Sequence, residues 1–454
     1  MAEENLLDTL FVVGCALVVF FMNAGFCLLE AGLCRARNAA SVLAKNFAVF
    51  GVAALAYWAV GYGLMYGGSE GALGGLLGTS GFFPDGAGPS PAPVPQAAFF
   101  FFQLVFVATC ASIVSGAVAE RTRYLAYLAF CAFCCAIVYP VVGHLIWGGG
   151  WLARLGFVDY AGSTAVHATG GMAALVGAWR VGPRTGRYDE RGRPRALHGH
   201  SLSLATLGTC ILWLGWFGFN AGSGLAFDAT ALRVVLTTAL ASAAGVVSST
   251  LTAWWRLGKP ELTMTLNGCL CALVSITAGC AVVTPAAAVA IGAAGGVLVV
   301  LAVPLFDRLR IDDPVGALSV HLVGGVFGTL AVGLFAHPAL GESAGLLHGG
   351  GARLLAVQLA GVLSVLAFVG AASHCLFAAI RRTIGLRVDA ESEAIGLDRA
   401  EIGVPAYGED LAGAAATGGR VRQRGFYLRP APGRGGRAGH PAMARTPALQ
   451  PREA

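Results

Sequence analysis

Apolar stretches long enough to cross a bilayer recur along this chain, and that recurrence limits its fold more than any other feature. A hydrocarbon core about 30 Å thick needs about 20 apolar residues in a helix to span it. Runs of that kind fall near 8–33, 41–66, 97–118, 124–147, 163–181, 202–222, 230–254, 262–283, 285–305, 316–335 and 353–380. Only 12% of the residues are charged, against about 25% in ordinary soluble domains. The 65 glycines suit close helix packing in lipid. The expectation is an all-α integral membrane protein of eleven transmembrane helices. The first run is too long for a signal-peptide apolar region and has no basic residue ahead of it, so it is read as retained.

Basic residues sort the connecting loops into two sets. One set carries Arg35, Arg37 and Lys45; Arg121 and Arg123; five arginines from Arg184 to Arg195; Arg256 and Lys259; Arg308 and Arg310; and Arg381, Arg382 and Arg387. The alternate set holds little beyond Arg154, Arg233 and Arg353, and 67–96 has no Lys or Arg. Positive loops stay in the cytoplasm, so the N-terminus is expected outside and the C-terminus inside. The net charge of +6 then belongs to the cytoplasmic face, and nucleic acid need not be invoked. Of the twelve cysteines, all but one fall within the apolar runs, where Cys acts as a small hydrophobe. Cys131 and Cys134 have the spacing of a redox pair but no βαβ context.

An internal repeat carries most of the functional information. Val166-His167-Ala-Thr-Gly170-Gly171 is echoed by Val320-His321-Leu-Val-Gly324-Gly325, and eight residues before each His stands an Asp, Asp159 or Asp313. Asn23-Ala-Gly25 in the first run matches Asn220-Ala-Gly222 in the sixth. The copies are therefore five spans apart, and an odd offset implies two five-helix inverted repeats plus a final helix. Taking about 1.5 Å per helical residue, each His lies roughly 12 Å along its helix from its Asp, near mid-membrane. A neutral imidazole facing the protein interior is expected there. Two unrelated histidines satisfied by backbone carbonyls is the plainer reading, and the symmetry favours a pair lining a path. His144, His374 and the loop histidines lack such support.

Asp159-Tyr-Ala-Gly-Ser-Thr-Ala-Val-His167 with Gly170-Gly171 resembles the signature of the Amt/MEP/Rh ammonium transporters. Matches to the Amt branch continue in Gly25-Phe-Cys-Leu-Leu-Glu-Ala-Gly32, Ala119-Glu-Arg121, His144-Leu-Ile-Trp147-Gly-Gly-Gly150, Gly215-Trp-Phe-Gly-Phe-Asn-Ala-Gly-Ser223 and Asp312-Asp-Pro-Val-Gly-Ala-Leu-Ser-Val-His321. The resemblance implies a multi-pass protein of the cell membrane that conducts ammonium or ammonia, assembled as a homotrimer with a pore in each subunit. By motif position Phe106, Trp147 and Ser223 resemble the site that recruits ammonium, Phe106 and Phe219 the gate, and His167 and His321 the twin-histidine pore. Asp159, with Asp313 as its counterpart, resembles a carboxylate that supports the site structurally. No cofactor or metal is implied.

Each of these residues also has a plainer reading. Trp near a span end is commonly part of the interfacial belt, as Trp151, Trp254 and Trp255 are read. Aromatic residues inside a span commonly pack, as Phe99 to Phe102 are read, and a Ser there commonly bonds within its own helix. Only the resemblance lifts Phe106, Trp147, Ser223 and Phe219 above such readings.

Three segments are expected: 1–388 as the transporter domain, 389–412 as a cytoplasmic family-like segment, and 413–454 as a disordered Arg/Gly/Pro-rich tail. Glu401-Ile-Gly403 departs from the usual Glu-His-Gly of that segment, which weakens the carry-over of a PII-type regulatory partner. The basic tail is able to meet anionic membrane lipid, although a solvated tail is the simpler reading. An ammonium sensor on the same fold is the alternative function. A metalloenzyme built on the two histidines lacks a third ligand at coordinating distance.

Overall fold

Each long apolar run folds as helix, since a helix satisfies its own backbone hydrogen bonds where no water is present. The computed structural model describes residues 3–68 and 71–408. The tail 413–454 and the last residues of the 389–412 segment lie outside the described residues. Among the described residues nine helices are long and apolar enough to cross a membrane. These are α1 (Glu3–Leu33), α2 (Ala36–Tyr66), α3 (Gln96–Ala117), α4 (Tyr124–Leu155, turning sharply at 147–150), α6 (Leu202–Gly222), α7 (Ala229–Leu257), α9 (Pro285–Arg308), α10 (Leu318–Phe335) and α11 (Arg353–Thr383). Between them stand α5 (163–181) and the shorter apolar α8 (Leu262–Thr277). Extended pairing among the described residues is limited to two isolated bridges, Thr122 with Arg387 and Tyr188 with Pro194.

Small residues set how closely the helices approach. Along the α1–α6 pairing a Cβ added at Gly208 would stand 2.4 Å from the Leu29 amide, and one at Gly25 would stand 2.8 Å from Leu212. The two copies of the repeat cross at their glycines. A Cβ at Gly171 on α5 would meet the Leu322 amide of α10 at 2.5 Å, and one at Gly325 on α10 would meet Ser163 O at 2.4 Å. The neighbouring glycines match as well. Gly170 packs on Cys110 of α3, and Gly324 on Cys271 of α8, five helices further on.

The basic loops meet at one end of the bundle. Arg184 bridges Glu120 (3.1 Å) and Asp312 (2.8 Å), and Arg35 also reaches Glu120 (2.7 Å). Buried Arg121 donates to the carbonyls of Ala119, Gly182 and Asp312. The segment after α11 is laced across these loops by its carboxylates. Asp398 accepts from the Ser41 amide, Glu401 from the Tyr124 amide, and Glu393 from the Thr185 amide and the Arg387 guanidinium.

Burial alone would push the Asp312 carboxyl up, but hydrogen bonds from Arg184 and the charges of Arg121 and Arg184 hold it well below the usual carboxylate range. Burial likewise opposes ionisation of Glu120, and the charges of Arg184 and Arg35 prevail and lower it. Depressed acids stabilise the fold above their unfolded values, near pH 4, and lose that contribution as pH falls through the folded values. Arg184→Gln leaves two buried carboxylates short of a partner and is expected to cost about 3–5 kcal/mol at neutral pH. Thermal unfolding in detergent should show that loss at neutral pH and a gap from wild type that narrows below about pH 4.

Candidate functional site

The repeated Asp-to-His segments adopt the same local structure, and it is not the unbroken helix assumed from the spacing. Asp159 precedes the helix and caps it. Its Oδ1 accepts from the amides of Gly162 (3.0 Å) and Ser163 (2.8 Å), and its Oδ2 from those of Thr164 and Ala165 (2.8 Å each). Asp313 does the same for Val315, Gly316 and Leu318. Amides at a helix start have no partner within the helix, so a carboxylate there satisfies several at once. Gly162 (φ 109°) and Gly316 (φ 84°) make the reversal between cap and helix. The first turns that follow are π-helical, Ser163–Ala168 and Leu318–Val323, and each contains its histidine. A π-turn carries an extra residue and re-aims the side chains on it.

His167 and His321 meet across the α5–α10 crossing with their Nδ1 atoms 3.2 Å apart and ring centroids 5.2 Å apart. A hydrogen bond between two imidazole nitrogens holds one proton, so one ring donates and the other accepts. Trp216 stacks on His167 at 5.0 Å, and Phe219 lies 5.5 Å from the same ring. The His167 Nε2 is buried and has no hydrogen-bond partner among the described residues.

Phe219 in turn stacks on Phe106, with centroids 3.9 Å apart and planes inclined by 17°. Both rings are buried. Beyond them opens a cavity of about 170 Å³ walled by Phe106, Trp147 and Ser223. Phe99, Phe102, Gln103 and Tyr160 share that wall. The Trp147 Nε1 donates to Asp159 O (2.8 Å), which fixes the ring, and Phe106 meets it edge-on at 6.3 Å. The Ser223 hydroxyl donates to Phe219 O (2.9 Å), which leaves its oxygen lone pairs available to accept. Past the histidines a second cavity, of about 20 Å³, is bounded by His321, Glu30 and Asn267.

The structure therefore links Phe106, Trp147, Ser223, Phe219, His167 and His321 in one series of contacts, with Asp159 and Asp313 bracing the turns that hold the histidines. Phe99 and Phe102, read from sequence as packing, stand on the cavity wall, and Phe102 also lies 4.8 Å from Phe106. Trp216 was missed, although it lies three residues before Phe219 and so shares its helix face. His144 bonds Met65 O and Gly74 O and has a structural place. His374 bonds Arg180.

Residues 10–407 match the model of the Ammonium Transporter Family. The chain belongs to that family. It is 41% identical over 418 residues to the ammonium transporter Amt2 of Archaeoglobus fulgidus, covering 88% of each chain. It is 39% identical to Amt1 of Haloferax mediterranei, over 86% of this chain and 77% of that one. Among solved structures it resembles a sensor Amt protein (TM-score 0.83, 38% identity, 88% of this chain and 98% of that one). Mep2 of Candida albicans is also similar (TM-score 0.78, 29% identity, 86% and 88%). As an ammonium transporter family member the chain is a helical, multi-pass membrane protein.

Asp159→Ala removes the acceptor for four buried amides and is expected to cost about 3 kcal/mol or more. Asp159→Asn, which keeps one acceptor oxygen, should cost less. Thermal unfolding of both variants in detergent checks the order, and equal stability with wild type would remove the capping role.

Proposed function

We propose that this protein carries ammonium across the cell membrane by capturing NH4+ in the larger cavity, removing one proton and passing NH3 along the His167–His321 pair. The observation that carries the reading is the order of groups in one series of contacts: an aromatic cavity, a stacked Phe pair and two hydrogen-bonded imidazoles. In this reading α5 and α8 also cross the membrane, which makes eleven spans, with the N-terminus outside and the basic end in the cytoplasm. Five helices then separate the two copies, and they form inverted repeats. The larger cavity faces outward. The family resemblance further implies a homotrimer with one path per subunit, and a cytoplasmic face open to a PII-type protein.

The chemistry follows from what each group offers. Trp147 and Phe106 present ring faces that attract a cation, worth about 0.5–2 kcal/mol each. Ser223 offers an oxygen that accepts a proton of NH4+, which a metal cation does not have. The Phe106–Phe219 stack closes the route to anything that keeps its hydration shell. Behind it the buried, unpartnered Nε2 of His167 is free to accept a hydrogen bond from ammonia. Potassium has no proton to surrender and no way past the stack without its water.

A sensor role is the second reading, favoured by the similarity to a solved sensor Amt protein. A sensor would bind ammonium in the same cavity and carry little or none across.

Purified protein in proteoliposomes, given ammonium and then potassium, tests the proposal. Wild type should conduct ammonium and exclude potassium. Trp147→Leu and Ser223→Ala should raise the half-saturating ammonium concentration by a few-fold to about thirty-fold. His167→Ala and His321→Ala should change selectivity and pH dependence. Ammonium binding with no transport in wild type would favour the sensor, and cavity variants that match wild type would return Trp147 and Ser223 to packing.

A further inference from the structure

We propose that Glu30 receives the proton that leaves the histidine pair, so that the proton removed from ammonium exits through a carboxylate on α1. The inference rests on the transport reading above and names a group for a step that reading leaves open. Glu30 is 2% exposed and lies within a helix long and apolar enough to span the membrane. An ionisable side chain there is costly and calls for a function.

Geometry supplies the partner. Glu30 and His321 bound the same cavity of about 20 Å³, with Asn267 beside them. About 10–15 Å³ of such space accommodates one water molecule, and one water is what an imidazole and a carboxyl need between them to exchange a proton. Of the two rings it is His321 that lines this cavity, while His167 is fully buried.

Among the described residues Glu30 makes no ion pair that would hold it permanently charged. Its Oε2 accepts from Asn46 Nδ2 at 2.9 Å, and that amide serves the acid form as well as the carboxylate. Lys45, the nearest cation on α2, donates its ammonium to Thr122 O instead. The titratable groups around Glu30 are Lys45 from α2, Tyr127 from α4, Asp313 just before α10 and His321 in its first turn, Cys27 on its own helix and Cys34 just after it. From α3 it meets Ser115, which shares the Asn46 amide.

The relay balances atom by atom. As the Phe106 and Phe219 rings part, NH4+ at the floor of the larger cavity gives one proton to Nε2 of His167 and becomes NH3. The proton on His167 Nδ1 crosses 3.2 Å to His321 Nδ1. The Nε2–H bond of His321 breaks, and its proton passes through one water to the Glu30 carboxylate, which becomes a carboxylic acid. Both rings end neutral with their tautomers reversed. The NH3 that follows takes the Nε2 proton of His167, yields it to Nε2 of His321 and leaves as NH3 while the shared proton returns to His167 Nδ1. The Glu30 acid releases its proton toward the basic end.

A purely structural Glu30 would tie α1 to α2 through Asn46. Glu30→Gln keeps that acceptor but cannot take a proton, so it separates the two roles. In proteoliposomes of the full chain, Glu30→Gln should lower the maximal ammonium-evoked current about ten-fold or more, leave the half-saturating concentration unchanged, and flatten its dependence on pH at the basic end. Glu30→Asp keeps the acid and should retain current with a shifted pH midpoint. Maximal current within about two-fold of wild type and an unchanged pH profile in Glu30→Gln would overturn the proposal. If that variant does not insert, an unshifted midpoint in Glu30→Asp overturns it. His167→Ala run alongside distinguishes failure of the relay from failure of the transport reading. Should wild type and His167→Ala both carry no ammonium current, no proton reaches the pair and the relay falls. The transport reading falls as well only if wild type also shows no uptake of ammonia by isotope or internal-pH assay.

Discussion

One proton shared between two ring nitrogens 3.2 Å apart is the contact on which the rest of this structure depends. An imidazole pair forms that bond only when the rings are complementary tautomers, one carrying its proton on Nδ1 and the other on Nε2. The pair then presents an acceptor at one end and a donor at the other, a polarised route through an apolar interior. The contact is narrow, and much of the chain serves to hold it. The α5–α10 crossing comes close because Gly171 and Gly325 leave room for backbone on both sides. Asp159 and Asp313 fix the starts of the two turns, and the π-turns aim both rings at the crossing. Trp216 and Phe219 cover the His167 ring so that its free nitrogen faces no competing partner.

Under the proposed function, the same economy of polar groups accounts for selection along the path. Water is a better ligand for potassium than any single aromatic face, so a cavity of aromatic rings does not retain potassium strongly. Ammonium can both lie against a ring face and donate to Ser223, and it has a proton to leave behind. In the proposed reading the buried Phe stack then acts on what is left, since only a small neutral molecule crosses without a hydration shell. The ion-paired charges gather instead in the Arg35–Glu120–Arg184–Asp312 network at the basic end. The segment after α11 bonds to the same end of the bundle, Asp398 to the start of α2, Glu401 to the start of α4 and Glu393 to the loop joining α5 to α6.

Much of this was legible in the sequence because lipid imposes simple rules. Apolar length located the helices within a few residues, and the repeat singled out His167 and His321. Other features depend on geometry that periodicity does not encode. An eight-residue interval reads as continuous helix, yet Asp159 lies before its helix and the following turn is π-helical. Phe99 and Phe102 lie in an apolar run whose every face reads alike, so nothing local marks the side that borders a cavity. Glu30 stood in plain view within Gly25–Gly32 as part of a family motif, but its neighbour His321 is almost three hundred residues away. Cross-helix proximity of that kind appears only when the helices are packed.

The protonation of the histidine pair can be read directly in membranes. Nitrogen-15 NMR of histidine-labelled protein in bilayers, with His167→Ala and His321→Ala to assign the signals, reports which nitrogen of each ring carries a proton. The account predicts two neutral rings of opposite tautomer at neutral pH, coupled through one Nδ1–H···Nδ1 bond. A pair of identical tautomers, or a persistent imidazolium in the resting protein, would contradict it.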